Sequence, residues 1–195
     1  MKTLVFATSN QHKIAELRNI CPDYNILGLK DLGFDVEIEE TGLTLEENAL
    51  LKAEFLFDKI GQPVLSEDTG LEVEALGGAP GVHTARYAGE MRDAEANMAK
   101  LLHELGDRPD RKAAFRTIIA LRHHDGTELF EGIVHGRIAS VKSGSQGFGY
   151  DPVFIPEGHD QTFAELPASV KNQMSHRARA VHKVIRFLQE NSYFQ

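Results

Sequence analysis

KAAFRTIIALRH at 112–123 and TELFEGIVHGRI at 127–138, joined through Asp125-Gly126, decide the fold class. Both runs are rich in strand formers, and an Asp-Gly pair between two such runs is a strong hairpin signal. Hairpin strands are antiparallel. Elsewhere strands and helices alternate, which alone predicts a parallel sheet. The two patterns together predict a mixed sheet in an α/β or α+β protein.

Upstream, Lys2 to Ala7 reads as a short strand and Thr8-Ser9-Asn10 as a polar turn. A helix follows, with Ile14, Leu17 and Cys21 on one face and Ser9 or Asn10 as its cap. Such a start gathers backbone N–H groups and Lys13 at a helix N-terminus, which suits an anion. Thr44 to Ile60 predicts a second helix with a capping box at Thr44–Glu47, ended by Gly61. Pro63 to Ser66 reads as a short buried strand leading into an acidic cluster. Asp93 to Leu105 predicts a third helix, closed by Gly106. Ser175 to about Glu190 predicts a last one, with Ala178, Val181, Ile185 and Leu188 at helical spacing. There is no internal repeat or linker composition, so one domain over residues 1–195 is expected.

The chain has 195 residues, 42% hydrophobic and 26% charged, which is ordinary globular composition. A formal charge of −8 argues against gripping a nucleic-acid backbone, which needs a broad basic surface. A free nucleotide is still allowed, because a divalent cation and a few placed lysines can meet its phosphates. Cys21 is the only cysteine, so no intrachain disulfide is possible. The apolar run near the N-terminus is too short for a secretory signal, and no run approaches the ~20 residues that cross a bilayer. A cytoplasmic protein without a membrane partner is the expectation.

Two segments carry most of the chemistry. SEDTGLEVEALGGAPGVHTARYAG at 66–89 holds adjacent carboxylates, a hydroxyl and several glycines. Its Glu67-Asp68-Thr69-Gly70 reads either as oxygen ligands for magnesium or as an acidic surface turn. On an extended strand the two carboxylates face opposite ways, so only one reaches a given site. Glu37, Glu39 and Glu40 form a second acidic group, in which Glu37 and Glu39 share strand parity. QGFGYD at 146–151 offers a glycine-flanked aromatic that can stack on a base, with Asp151 as an acceptor for purine N–H groups. Phe148 and Tyr150 read equally well as core aromatics. Ser175-His176-Arg177 places cations at a helix start, where the dipole disfavours them, and this hints at an anionic or carbonyl-bearing ligand. The chain has no GxxxxGK[ST] loop, no GxGxxG after a strand and no GxSxG elbow.

Five segments, FATSNQHKIAEL at 6–17, IEETGLTLEENALLKA at 38–53, the 66–89 run, GFGYDPVFIPEG at 147–158 and KNQMSHRARA at 171–180, occur in one order across nearly the whole chain. In this the chain resembles the inosine triphosphate pyrophosphatases, also described as dITP/XTP pyrophosphatases. The resemblance implies an elongated mixed α/β fold with two lobes around a central cleft, and a homodimer. It implies Mg2+-dependent hydrolysis of ITP, dITP and XTP between the α and β phosphorus atoms, giving a monophosphate and pyrophosphate.

By the same resemblance Asp68 is the catalytic carboxylate and a metal ligand, and Glu39 is the second metal ligand. Thr8, Ser9, Asn10, Gln11, His12 and Lys13 hold the triphosphate together with Lys52, and Thr69 contacts substrate. Phe148, Gly149, Tyr150, Asp151, Lys171, His176 and Arg177 bind the purine. Arg177 donating to a 6-oxo group would favour hypoxanthine and xanthine over adenine. The chain reads SEDTG where DDSG is commoner, and His83 stands where tyrosine is frequent. Two alternatives are a pyrophosphatase for modified pyrimidines and a nucleotide sensor without turnover.

Overall fold

The computed structural model describes residues 2–191. Seven strands form one mixed sheet: β1 (Lys2–Phe6), β2 (Tyr24–Leu27), β3 (Val64–Val73), β4 (Pro80–Gly81), β5 (Lys112–His123), β6 (Gly126–Ile138) and β7 (Phe154–Pro156). Their order is β2-β1-β3-β5-β6-β7, with β4 paired to β3. β1 pairs parallel with β2 and β3, whereas β3–β4 and β6–β7 are antiparallel, as the mixed-sheet reading expects. The helices are α1 (Gln11–Ile20), α2 (Leu45–Ile60), α3 (Ala94–Leu105), α4 (Ala168–Met174) and α5 (His176–Glu190).

The chain divides into two compact units. One comprises the residues up to Asp68, Thr117–Gly132 and those from His176 onward; the other comprises Thr69–Arg116 and Ile133–Ser175. In the first unit, Leu4 and Phe6 of β1, Ile14 and Leu17 of α1, Ile119 and Leu121 of β5, and Val181, Val184 and Leu188 of α5 form one apolar core. A second cluster joins Val5, Ala7, Leu29, Leu56 and Val64. The other unit packs Leu71, Met98, Leu101, Val134 and Tyr150 around Phe115, Phe154 and Phe163. The centroids of Phe115 and Phe154 lie 4.7 Å apart, and those of Phe154 and Phe163 5.3 Å. Each large apolar side chain buried in this way contributes about 1.5–3 kcal/mol.

Local signals place the helix ends. Asn10 caps α1, Thr44 caps α2 and Asp93 caps α3, each accepting from backbone N–H groups of the first turn. Gly61 and Gly106 end α2 and α3. The Glu47 carboxylate reaches back to the amide of Leu43, one residue beyond the expected capping-box partner.

Four expectations need correction. The strand expected at Pro63–Ser66 continues through the acidic cluster to Val73, because alternate residues there are buried on both faces. Residues 34–42 form no strand, so the shared parity of Glu37 and Glu39 has no consequence. The β5–β6 turn is His124-Asp125, with Gly126 already in β6. An unpredicted helix, α4, precedes α5, and Ser175 separates them in extended backbone (φ −63°, ψ 160°).

Candidate functional site

In the first unit β3 presents Glu67 and Asp68 in succession, and both are buried, with 2% and 6% exposure. The surface-turn reading therefore does not hold. The alternation does: the two carboxylates have different hydrogen-bond partners.

Asp68 faces α2. Its Oδ1 lies 3.1 Å from Lys52 Nζ, and its Oδ2 accepts from Asn48 Nδ2 at 3.1 Å. Lys52 Nζ also lies 2.5 Å from Glu40 Oε1. Burial raises the Asp68 carboxyl above its ordinary range; Lys52 and Lys13 pull against that rise, and Glu40 adds to it. Burial works against the Lys52 ammonium, but Asp68 and Glu40 overcome it and hold the group charged. Asn48 and Lys52 sit one turn apart among Leu45, Ala49, Ala53 and Leu56, so a polar strip runs down an otherwise apolar buried face.

Glu67 turns the other way. Its carboxylate takes Arg177 Nε at 2.7 Å and Nη2 at 2.5 Å, and Lys13 Nζ lies 3.2 Å away. Glu16 takes Arg177 Nη1. Burial alone raises the Glu67 carboxyl, yet Arg177 and Lys13 outweigh it and hold the group well below the usual carboxylate range. The cationic start of α5 thus has protein partners: two carboxylates offset the dipole penalty that the sequence pattern exposed. Gly132 on β6 lets α5 come this close. A Cβ there would lie 2.0 Å from the carbonyl oxygen of His176 and 2.6 Å from the amide of Ala180.

The turn before α1 is half-exposed. Thr8 Oγ1 accepts from the Asn10 amide at 3.1 Å, and Asn10 Oδ1 accepts from the amides of His12 and Lys13 at 3.0 and 3.2 Å. Two amides expected to meet an anion are thus engaged by the cap. Ser9 and Gln11 are exposed, and Gln11 Nε2 donates to the Ser9 carbonyl at 3.3 Å.

The structure brings Glu40 to Lys52 and Asp68. Glu39 is exposed on the adjoining segment, outside that hydrogen-bonded cluster. Among the described residues, no three His, Cys, Asp or Glu side chains gather in a metal-holding group. The donors here are nevertheless hard carboxylate oxygens, those of Asp68 and Glu40, which flank the Lys52 ammonium. Such a donor set fits Mg2+, which binds one or two carboxylates together with phosphate oxygens and water.

In the second unit, Asp151 Oδ2 accepts from the Phe148 amide at 2.8 Å and from Lys171 Nζ at 2.5 Å. Asp151 and Lys171 are both buried, and Lys171 Nζ lies 5.1 Å from the centre of the half-buried Phe148 ring. Gly147, at φ 75°, leaves room for this arrangement, since a Cβ there would lie 2.0 Å from Asp151 Oδ2. Of the two readings open for Tyr150, its ring lies in the core and its hydroxyl donates to the Thr84 carbonyl at 2.8 Å. Thr69, next to Asp68 on β3, is half-buried and begins this unit, while His176 and Arg177 are buried in the first.

Sequence reasoning missed Asn48, Glu16 and the role of Glu40. An asparagine and a lysine one turn apart on an apolar helix face were a usable signal for the first.

The Ham1 family matches residues 4–187 of the chain. A dITP/XTP pyrophosphatase of Porphyromonas gingivalis is 55% identical over 190 residues, which cover 96% of this chain and 98% of that one. Among solved structures, the Ham1 protein of Staphylococcus aureus superposes with a TM-score of 0.87 at 44% identity, covering 97% of this chain and all of the other. A HAM1 protein from Coxiella burnetii gives the same TM-score, 0.87, at 36% identity and 97% coverage of this chain. With its mixed α/β sheet, its full-length relatives and its matched span, the chain belongs to the Ham1 family.

Proposed function

We propose that this chain hydrolyses non-standard purine nucleoside triphosphates, ITP, dITP and XTP, to the monophosphate and pyrophosphate. The observation that carries the reading is its likeness, over nearly its full length, to proteins named dITP/XTP pyrophosphatase. The buried Asp68 cluster supports it chemically. A carboxylate whose proton affinity is raised by burial is a better base at neutral pH than an exposed one.

In this reading Asp68 orients the attacking water and accepts its proton. Lys13 and Lys52 meet phosphate oxygens, and Lys13 stabilises charge developing on the leaving pyrophosphate. Asp68 and Glu39, with Glu40 adjacent, would hold Mg2+. The ion supplies neutralisation of phosphate charge and Lewis-acid polarisation when bound. In the second unit, Phe148 offers a face to the base, and the Lys171–Asp151 pair holds the 148–151 turn in shape. Glu67 and Glu16 fix the plane of Arg177, the side chain this reading assigns to the 6-oxo group.

We also infer a cytoplasmic homodimer. No described helix is long and apolar enough to cross a membrane. Light scattering on the purified protein should give twice the mass of 21.6 kDa; the mass of one chain would remove the dimer from the proposal. Incubation with ITP, XTP, ATP and modified pyrimidine triphosphates, with and without Mg2+, tests the activity. Turnover confined to the 6-oxo purines and dependent on Mg2+ is expected, and a preference for pyrimidines would move the chain to another substrate class.

A further inference from the structure

We infer that Asn48 is the positioning residue for Asp68, locking the carboxylate plane and tying it to the loop that carries Glu39 and Glu40. This inference rests on the catalytic role proposed for Asp68.

Asn48 is fully buried, at 0% exposure. Its two amide atoms have unambiguous duties. Nδ2 donates to Asp68 Oδ2 at 3.1 Å, and Oδ1 accepts from the Gly42 amide at 2.8 Å. A flipped amide would set oxygen against carboxylate and NH2 against N–H, so only one orientation satisfies both neighbours. One rigid planar group therefore links the strand carboxylate to the 39–42 segment.

Lys52 cannot do this alone. Its ammonium is a compact charge on a flexible stem and attracts Asp68 Oδ1 without fixing a plane. The χ2 torsion of an aspartate is broad, so a carboxylate held at one oxygen can turn. Asn48 holds the other oxygen. Gly42 belongs to the same device: a Cβ there would lie 2.7 Å from Asn48 Oδ1, 2.7 Å from Glu47 Cβ and 2.9 Å from the Asn48 amide nitrogen. A side chain at Gly42 would push the loop off the amide.

The test compares wild type with Asn48→Ala and Gly42→Ala. Steady-state kinetics use ITP with Mg2+, normalised to the folded fraction from circular dichroism, and crystal structures of wild type and Asn48→Ala are determined. We expect kcat to fall about 10–100-fold in both variants, as when groups supporting a catalytic ligand are removed. KM should stay within about threefold, and the Asp68 carboxylate should be rotated in Asn48→Ala. A folded Asn48→Ala variant with near-normal kcat, or a lowered kcat with Asp68 unmoved, would overturn the assignment. If wild type itself releases no pyrophosphate, the functional reading fails. The carboxylate plane in the two crystal structures then still decides whether Asn48 positions Asp68.

Discussion

Glu67 and Asp68 are sequence neighbours on β3, yet each is buried against different bonding partners: Glu67 against Arg177 and Lys13, Asp68 against Lys52 and Asn48. The pleat of one strand separates a carboxylate held firmly ionised from one whose proton affinity is raised. The first is suited to holding structure together, the second to moving a proton.

Replacing Glu67 by Gln should cost about 3–5 kcal/mol of stability, because Arg177 is then left buried with half its counter-charge. The pH dependence follows from the depressed carboxyl. A group whose folded pKa lies below its unfolded value of about 4.3 contributes stability that is fully present above that value. The contribution is lost as pH falls toward the folded value. Urea titrations between pH 7 and pH 3 should show wild type losing stability below about pH 4.3, and Glu67→Gln losing less over the same window. Parallel curves for the two proteins would remove Glu67 from the acid limb.

Asp68→Asn should keep the fold and lower kcat on ITP by about 10²–10⁴-fold, the usual contribution of a positioned general base. Stability should fall, since the buried Lys52 ammonium is left with Glu40 as its remaining carboxylate partner. Circular dichroism and single-turnover kinetics check both halves. A variant of near-native rate contradicts the role given to Asp68.

Cys21 lies in the core between α1 and α5, and burial, with a smaller contribution from Asp23, pushes its thiol up to about 11. At pH 8 roughly one part in a thousand would be thiolate. Titration with a disulfide reagent should therefore be slow on the native protein and fast after denaturation. Rapid native labelling would mean that this part of the core opens readily.

Much of the fold was legible because its signals are local. Asn10, Thr44 and Asp93 announce helix starts by their own chemistry, and Gly61 and Gly106 announce ends. The 3-residue strand β7 and the 7-residue helix α4 were not legible, since neither is long enough to show a period. The candidate site was readable as residue types but not as pairings. Arg177 meets Glu67 across 110 positions of sequence and Glu16 across 161, and no local pattern encodes such distances. What looked like unexplained cations at a helix start was half of an ion network. Glu39 and Glu40 could not be ranked by parity, because the segment that carries them is irregular.

Phosphorus NMR of ITP turned over by the wild-type protein with Mg2+ tests the central claim most directly. Resonances of inosine monophosphate and pyrophosphate should grow together in equal amounts, with neither diphosphate nor orthophosphate as an initial product. Initial release of inosine diphosphate and orthophosphate would place the broken bond between the β and γ phosphorus atoms and contradict the account.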